Sequence, residues 1–162
     1  MSNLKNQLRQ LDVSKLKLKN GRTVENEMIR HSKILADCIM EELNDVYESY
    51  SPKVYERRSY GLYDSLYIDD VIRVDISSKG TNLSIGLHFD DGAISQNFNG
   101  DDVNVAGLIN EGWSWKNSTV DIPYLSRRES THFIDKGIEK YKRKVRNPFT
   151  VRLTIYDDER LF

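Results

Sequence analysis

Apolar residues recur at spacings of three, four and seven between positions 24 and 50: Met28, Leu35, Ile39, Leu43, Val46 and Tyr50. That period puts one apolar stripe along a long amphipathic helix. Thr23 stands where an N-cap belongs, Glu25 and Glu27 suit the positive helix end, and Pro52 ends the element. Upstream, Leu4, Leu8 and Leu11 line one side of a short helix over 2–12. Lysine and leucine then alternate at period two from Lys15 to Lys19, up to a turn at Asn20-Gly21. From Leu66 the period is again two. Leu66, Ile68, Ile72, Val74 and Ile76 share one face of a long strand, and Asp70 breaks the set, which predicts a bulge or bend. After a turn at 77–81, Leu83, Ile85, Leu87 and Phe89 alternate in a second strand. Asp90-Asp91-Gly92 is a hairpin signal, so 93–98 is expected to return as a third strand. Val103, Ala106 and Ile109 line a short helix stopped by Gly112. A further helix is expected over 130–144, burying Ile134, Ile138, Tyr141 and Val145. Gly137 inside it costs roughly 1 kcal/mol against Ala, so it marks a close approach to the sheet or to another helix. Phe149, Val151, Leu153 and Ile155 alternate in a last strand before a charged tail.

Together these elements predict an α+β fold: an antiparallel β-meander packed against a long N-terminal helix and a C-terminal helix, with an extra C-terminal strand. Residues 1–23 form an N-terminal arm, 24–146 the α+β core domain, and 147–162 the C-terminal strand and charged tail. A chain of 162 residues suits one such domain, and 38% apolar with 30% charged residues suits a soluble globular class. No apolar run approaches the length of a membrane span, and residues 1–10 lack a signal-peptide stretch. Cys38 is the single cysteine, which excludes an intramolecular disulfide and a thiolate zinc cluster. Its place on the apolar helix face marks a buried structural thiol.

The net charge of −1 conceals segregation. Residues 1–33 carry eight Lys/Arg against three Asp/Glu, residues 61–102 two against eight, and residues 127–146 eight against three. Solvated faces account for such runs, and so does self-complementarity, in which the basic ends of one subunit meet the acidic middle of the next. Both tryptophans, Trp113 and Trp115, fall in one short loop. Two large rigid indoles there need a pocket or a partner. Trp113, beside Gly112, is expected to anchor the loop, and Trp115 to make an interface contact.

Catalytic patterns are sparse. No nucleophile elbow, zinc-protease helix, phosphate-binding glycine loop or dinucleotide fingerprint occurs. His88, Asp90 and Asp91, joined by His132, are the best metal-like set and would suit a small metal-dependent hydrolase. Asp-Asp-Gly is equally what a hairpin turn needs. Glu129 and His132 pair as acid and base or as a helix start, and His31 lies beside the apolar stripe as a packing residue. Lys140, Lys142, Arg143, Lys144 and Arg146 suit either a nucleic-acid phosphate surface or a solvated helix end that favours the dipole.

Several of these segments fall in a known order. A long amphipathic helix ends in Tyr50-Ser-Pro-Lys-Val-Tyr-Glu-Arg-Arg58, and Gly61-Leu-Tyr-Asp-Ser-Leu66 enters the first strand. An Asn-x-Gly-Trp-x-Trp loop follows at 110–115, then Phe-Ile-x-x-x-Ile at 133–138. Over roughly 24–145 this resembles the tail-completion, or neck, proteins of tailed bacteriophages, minor virion components between head connector and tail tube. The resemblance implies an α+β fold and a structural role without an active site, metal or cofactor. It implies a homo-oligomeric ring, often a hexamer, through which DNA passes transiently. Its partners would be connector and tail-tube or tail-terminator proteins rather than a membrane. Such a protein is assembled in the host cytoplasm and ends in the virion. Tyr50, Tyr55, Arg57, Arg58, Trp113, Trp115, Lys15, Lys17 and Lys19 are then the expected interface residues. Lys140, Lys142, Arg143, Lys144 and Arg146 become channel or subunit contacts. The chain departs from the pattern in its basic arm at 15–22, in Gly137, and in the strand and tail after 148.

Overall fold

The apolar stripe of the N-terminal third winds into α1, Val24–Glu48, a helix of 25 residues. Thr23 caps it, with the Asn26 N–H donating to Thr23 Oγ1 at 3.2 Å, which satisfies one of the donors a helix start leaves open. Met28, Ile39 and Leu43 are buried, and Leu35 and Val46 half-buried, as the spacing requires. Cys38 is fully buried, and that burial pushes its thiol pKa up, which suits an inert packing residue. The computed structural model describes residues 15–49, 61–69, 72–77, 80–90, 94–96, 102–114 and 127–153. No helix among them is long and apolar enough to cross a membrane. The chain divides into two compact units, Met1–Lys33 with Ile68–Leu87, and Ile34–Tyr67 with His88–Phe162.

In the first unit, the lysine-leucine stretch doubles back at Asn20-Gly21. Gly21 takes φ +80°, which favours a residue without Cβ. The Leu18 N–H then reaches Arg22 O at 2.8 Å, and the Val24 N–H reaches Leu16 O at 2.9 Å. At the start of α1, Glu27 is buried and held by Arg30 at 2.7 Å and Arg22 at 3.2 Å. Hydrogen bonds from Arg30 above all, with help from Arg22, outweigh burial and lower the Glu27 pKa from 4.5 to about 2. His31 is also buried, and that burial, with the Arg30 charge, depresses its pKa against the pull of Glu27. Both groups favour the high-pH form in the fold. Their stabilisation is present above their unfolded pKa values and is lost in acid: that of His31 as pH falls below 6.5, that of Glu27 as pH falls from 4.5 towards 2. Denaturant titrations at stepped pH are expected to show stability declining through the Glu27 window. Glu27→Gln should flatten that limb, and an unchanged acid limb in the variant would remove Glu27 as its source.

The long strand expected over 66–76 is broken. It forms β1, Leu66–Ile68, and β2, Arg73–Ser77, and its hairpin mate likewise divides into β3, Gly80–Ser84, and β4, Leu87–Phe89. β2 pairs antiparallel with β3 in the register Val74↔Leu83 and Asp75↔Asn82, while β1 pairs with β4. β1 ends just before Asp69, whose N–H donates to Gly86 O at 2.9 Å. The Asp69 carboxylate occupies the space a Cβ on Gly86 would take, so a side chain at Gly86 would displace it. Asp70, where the sequence placed the break, lies outside the described residues.

The second unit holds α2, Gly61–Asp64, whose Leu62 is buried. It also holds β5, Ile94–Gln96, and β6, Asp102–Asn104, paired antiparallel. The third strand of the expected meander is β5, but its partner among the described residues is β6 rather than the preceding strand. Next come α3, Val105–Glu111, then β7, Trp113–Ser114, and β8, Arg127–Arg128, and last α4, Phe133–Lys144. The buried face of α4 is Phe133, Gly137, Ile138 and Tyr141, which keeps Ile138 and Tyr141 of the expected stripe. Ile134 and Val145 are half-buried instead. Gly137 is the reason: a Cβ there would stand 2.7 Å from Ile39 Cα, so α4 lies close on α1. The expected C-terminal strand is not formed over 149–153, and 154–156 lie outside the described residues. The Phe149 N–H is taken by the Tyr141 hydroxyl at 2.9 Å rather than by a strand neighbour.

Candidate functional site

The loop carrying the tryptophans leaves from the end of α3 and returns to the start of α4, and those two ends are fastened together. Asn104 caps α3, its Oδ1 accepting from the Gly107 N–H at 3.0 Å. Gly112 ends it at φ 76°, with its N–H on Leu108 O at 2.8 Å. Ala106 and Ile109 face inward. Asn110 is fully buried although it is polar, so its groups must be satisfied within the fold. Its Oδ1 accepts from the Ile134 N–H at 2.9 Å, its backbone O from the His132 N–H at 3.0 Å, and its Nδ2 donates to Glu111 at 2.6 Å. Thr131 adds two bonds to Ile109 O, one from its hydroxyl at 2.7 Å and one from its N–H at 3.3 Å. Asn110 thus caps a helix that starts more than twenty residues downstream. Asn110→Ala is expected to cost about 1–3 kcal/mol, because the part-buried Ile134 N–H loses its partner. A urea midpoint matching that of the parent would show the cap to be dispensable.

β7 and β8 close the base of the loop, pairing Trp113 with Arg128 and Ser114 with Arg127. A two-residue ladder is too short to leave a periodic trace, and the sequence carries no signal for it. The backbone of Trp113 is therefore fixed at the base. Its side chain, together with Trp115, Tyr50, Tyr55, Arg57 and Arg58, lies outside the described residues. Lys15, Lys17 and Lys19 are exposed on the arm.

The basic run of α4 is largely occupied within the subunit. Lys140 Nζ lies 2.9 Å from Glu42 and 3.1 Å from Glu41, and Lys144 lies 3.4 Å from Glu41. The hydrogen bond to Glu42, then that to Glu41, raises the Lys140 pKa, and Lys140 in turn lowers that of Glu41. Lys142 pairs with Glu139 at 2.7 Å, and Arg143 Nε donates to Glu139 O at 3.3 Å. Arg146 is exposed. These pairs tie α4 to α1 and to itself.

The residues proposed from sequence as metal ligands are separated into different settings. The His88 ring packs edge-on against Tyr67 at 3.7 Å, and the Asp90 N–H donates to Ser65 O at 2.8 Å. Asp91 lies outside the described residues. His132 joins Glu111 and Asp135 instead, with one ligand atom of each within 4.8 Å of the others, all exposed. Its Nδ1 lies 3.7 Å from Asp135, its Nε2 is 2.8 Å from Ser130 Oγ, and its backbone is left-handed at φ 50°. This trio brings the end of α3 and the start of α4 together at the surface.

A protein-family model described as YomN matches residues 1–151. No curated protein and no solved structure matches the chain.

Proposed function

The chain belongs to the YomN family, a name from an SPβ-like Bacillus phage, and from that premise we propose that it is a non-enzymatic virion structural protein. It completes the tail or the head–tail junction as a homo-oligomeric ring around the DNA channel. The observation that carries this reading is the loop between Gly112 and Arg127. Its base is rigid: α3 is locked to α4 through Asn110 and Thr131, and β7 and β8 close the strand ends. A scaffold of that kind serves a loop that must present side chains in one geometry, and Trp115 is the strongest anchor in it. The segregated charge along the chain supplies the complement needed to set subunit register. The partners in this reading are further copies, then connector and tail-tube or tail-terminator proteins.

The test is the size of the purified protein at neutral pH and moderate salt, alone and mixed with connector and tail-tube proteins. A ring, or a complex formed on mixing, is the expected result. Trp115→Ala is expected to weaken the mixed complex while leaving helix content unchanged. A strictly monomeric protein that binds neither partner sinks the proposal.

A further inference from the structure

The arm that precedes α1 makes a single β-bridge, and the outer side of that bridge is an edge. Its two ladder bonds run inward, from the Leu18 N–H to Arg22 O at 2.8 Å and from the Val24 N–H to Leu16 O at 2.9 Å. They flank the bridge between Lys17 and Thr23. In an antiparallel ladder, peptide groups alternate in direction, so a residue flanked by two inward bonds directs its own N–H and C=O outward. That residue is Lys17. Side chains alternate about the bridge as well: Leu16 and Leu18, 46% and 38% exposed, occupy one face, and Lys17 the other. A strand with outward peptide groups, exposed leucines and exposed lysines is a template for pairing with another strand.

The chemistry of the occupant follows from charge. Lys17 and Lys19 are exposed cations suited to an acidic surface, and residues 61–102 carry eight Asp/Glu against two Lys/Arg. Asp64, Asp75 and Asp90 are exposed in that stretch. Of these, Asp75 alone lies inside a strand, at the middle of β2, whose strand neighbour among the described residues is β3. We propose that the 15–19 arm of one copy adds as a strand along β2 of a second copy, with Lys17 facing Asp75. The inference rests on the homo-oligomeric reading above and assigns it a contact. Repeated head to tail, the same contact joins unlike surfaces, which is the type that closes a ring.

The full-length protein tests both levels separately by light scattering and sedimentation over a concentration series at low and moderate salt. Lys17→Glu and Asp75→Lys alone are each expected to weaken self-association about tenfold or more. The double variant restores the opposite charges and should recover most of the parent affinity. Leu16→Ser with Leu18→Ser should weaken association without the salt dependence of the charge variants. All these positions are at the surface of the arm or strand, and circular dichroism with thermal melts verifies the fold of each variant. A parent protein that is monomeric throughout overturns the ring and the arm contact together. A parent that self-associates while the arm variants match it overturns the arm contact and leaves the ring. Single variants that dissociate without rescue in the double variant overturn β2 as the occupant.

Discussion

Phe133→Ala is expected to destabilise the protein by about 3–5 kcal/mol, a large share of the total for a domain of this size. Phe133 is fully buried at the first position of α4 and meets the Phe89 ring edge-on at 6.3 Å. Removing it deletes the transfer energy of an aromatic ring and leaves a cavity between helix and strand, because Ala at the same site reaches neither wall. The surroundings cannot collapse easily. The preceding residue is held left-handed, and the following N–H is bonded to buried Asn110. Thermal unfolding should fall by roughly 10 °C, and Phe133→Leu, which refills much of the volume, should lose less. A melt within a degree or two of the parent would mean that Phe89 and Phe133 do not anchor α4.

Gly137→Ala is the second large effect, and its sign is the informative part. On an isolated helix the change gains about 1 kcal/mol. Here the new Cβ would lie 2.7 Å from Ile39 Cα, 2.8 Å from Ile39 Cγ1 and 3.0 Å from Ile39 N. Two of those three atoms are backbone, so no rotamer change at Ile39 relieves the clash, and α4 must move off α1. Overpacking of this kind costs about 1–3 kcal/mol, and the net result is a loss of up to about 2 kcal/mol after the propensity gain. The movement also stretches the pairs from Lys140 to Glu42 and Glu41. Denaturant unfolding measures it, and Ile39→Val in the same background should not rescue it. A stabilised Gly137→Ala variant would show that the helices are farther apart than this contact implies.

The wider family reading of the site depends on the same distinction between what is local and what is not. The long helix was legible because its apolar period, the Thr23 cap and the acidic first turn all point to one element. The turn of the arm and the stop of α3 were legible because each rests on a glycine that takes a positive φ, Gly21 and Gly112. Burial of Cys38 followed from its helix face. On α4 the burial of Ile138 and Tyr141 and the close approach at Gly137 were legible, but the places of Ile134 and Val145 in the buried face go to Phe133 and Gly137, which a count of apolar positions does not give. The helix turns its smallest residue to the closest contact. An interruption of the long strand was legible from Asp70, since β1 ends at Ile68 and β2 begins at Arg73, but the meeting of Asp69 with Gly86 was not, because alternation says nothing about the facing segment.

Asn110 illustrates the limit most directly. In sequence it is a polar residue after an isoleucine, with nothing nearby to accept from. In the fold it is fully buried and bonded to Ile134. The lysines of α4 show the same limit from the charge side. Sequence placed them at a helix end, where the dipole favours them, but could not assign Glu41 and Glu42 as their partners roughly a hundred residues away. By itself the sequence determined the elements set by short-range physics: periodicity, capping, glycine turns and the α+β class. Only the tertiary structure decided which residues complete the buried face of α4, which strands pair, and what fastens the base of the tryptophan loop. Each of those is settled by groups distant along the chain that compete for one buried donor, one close approach or one ladder position.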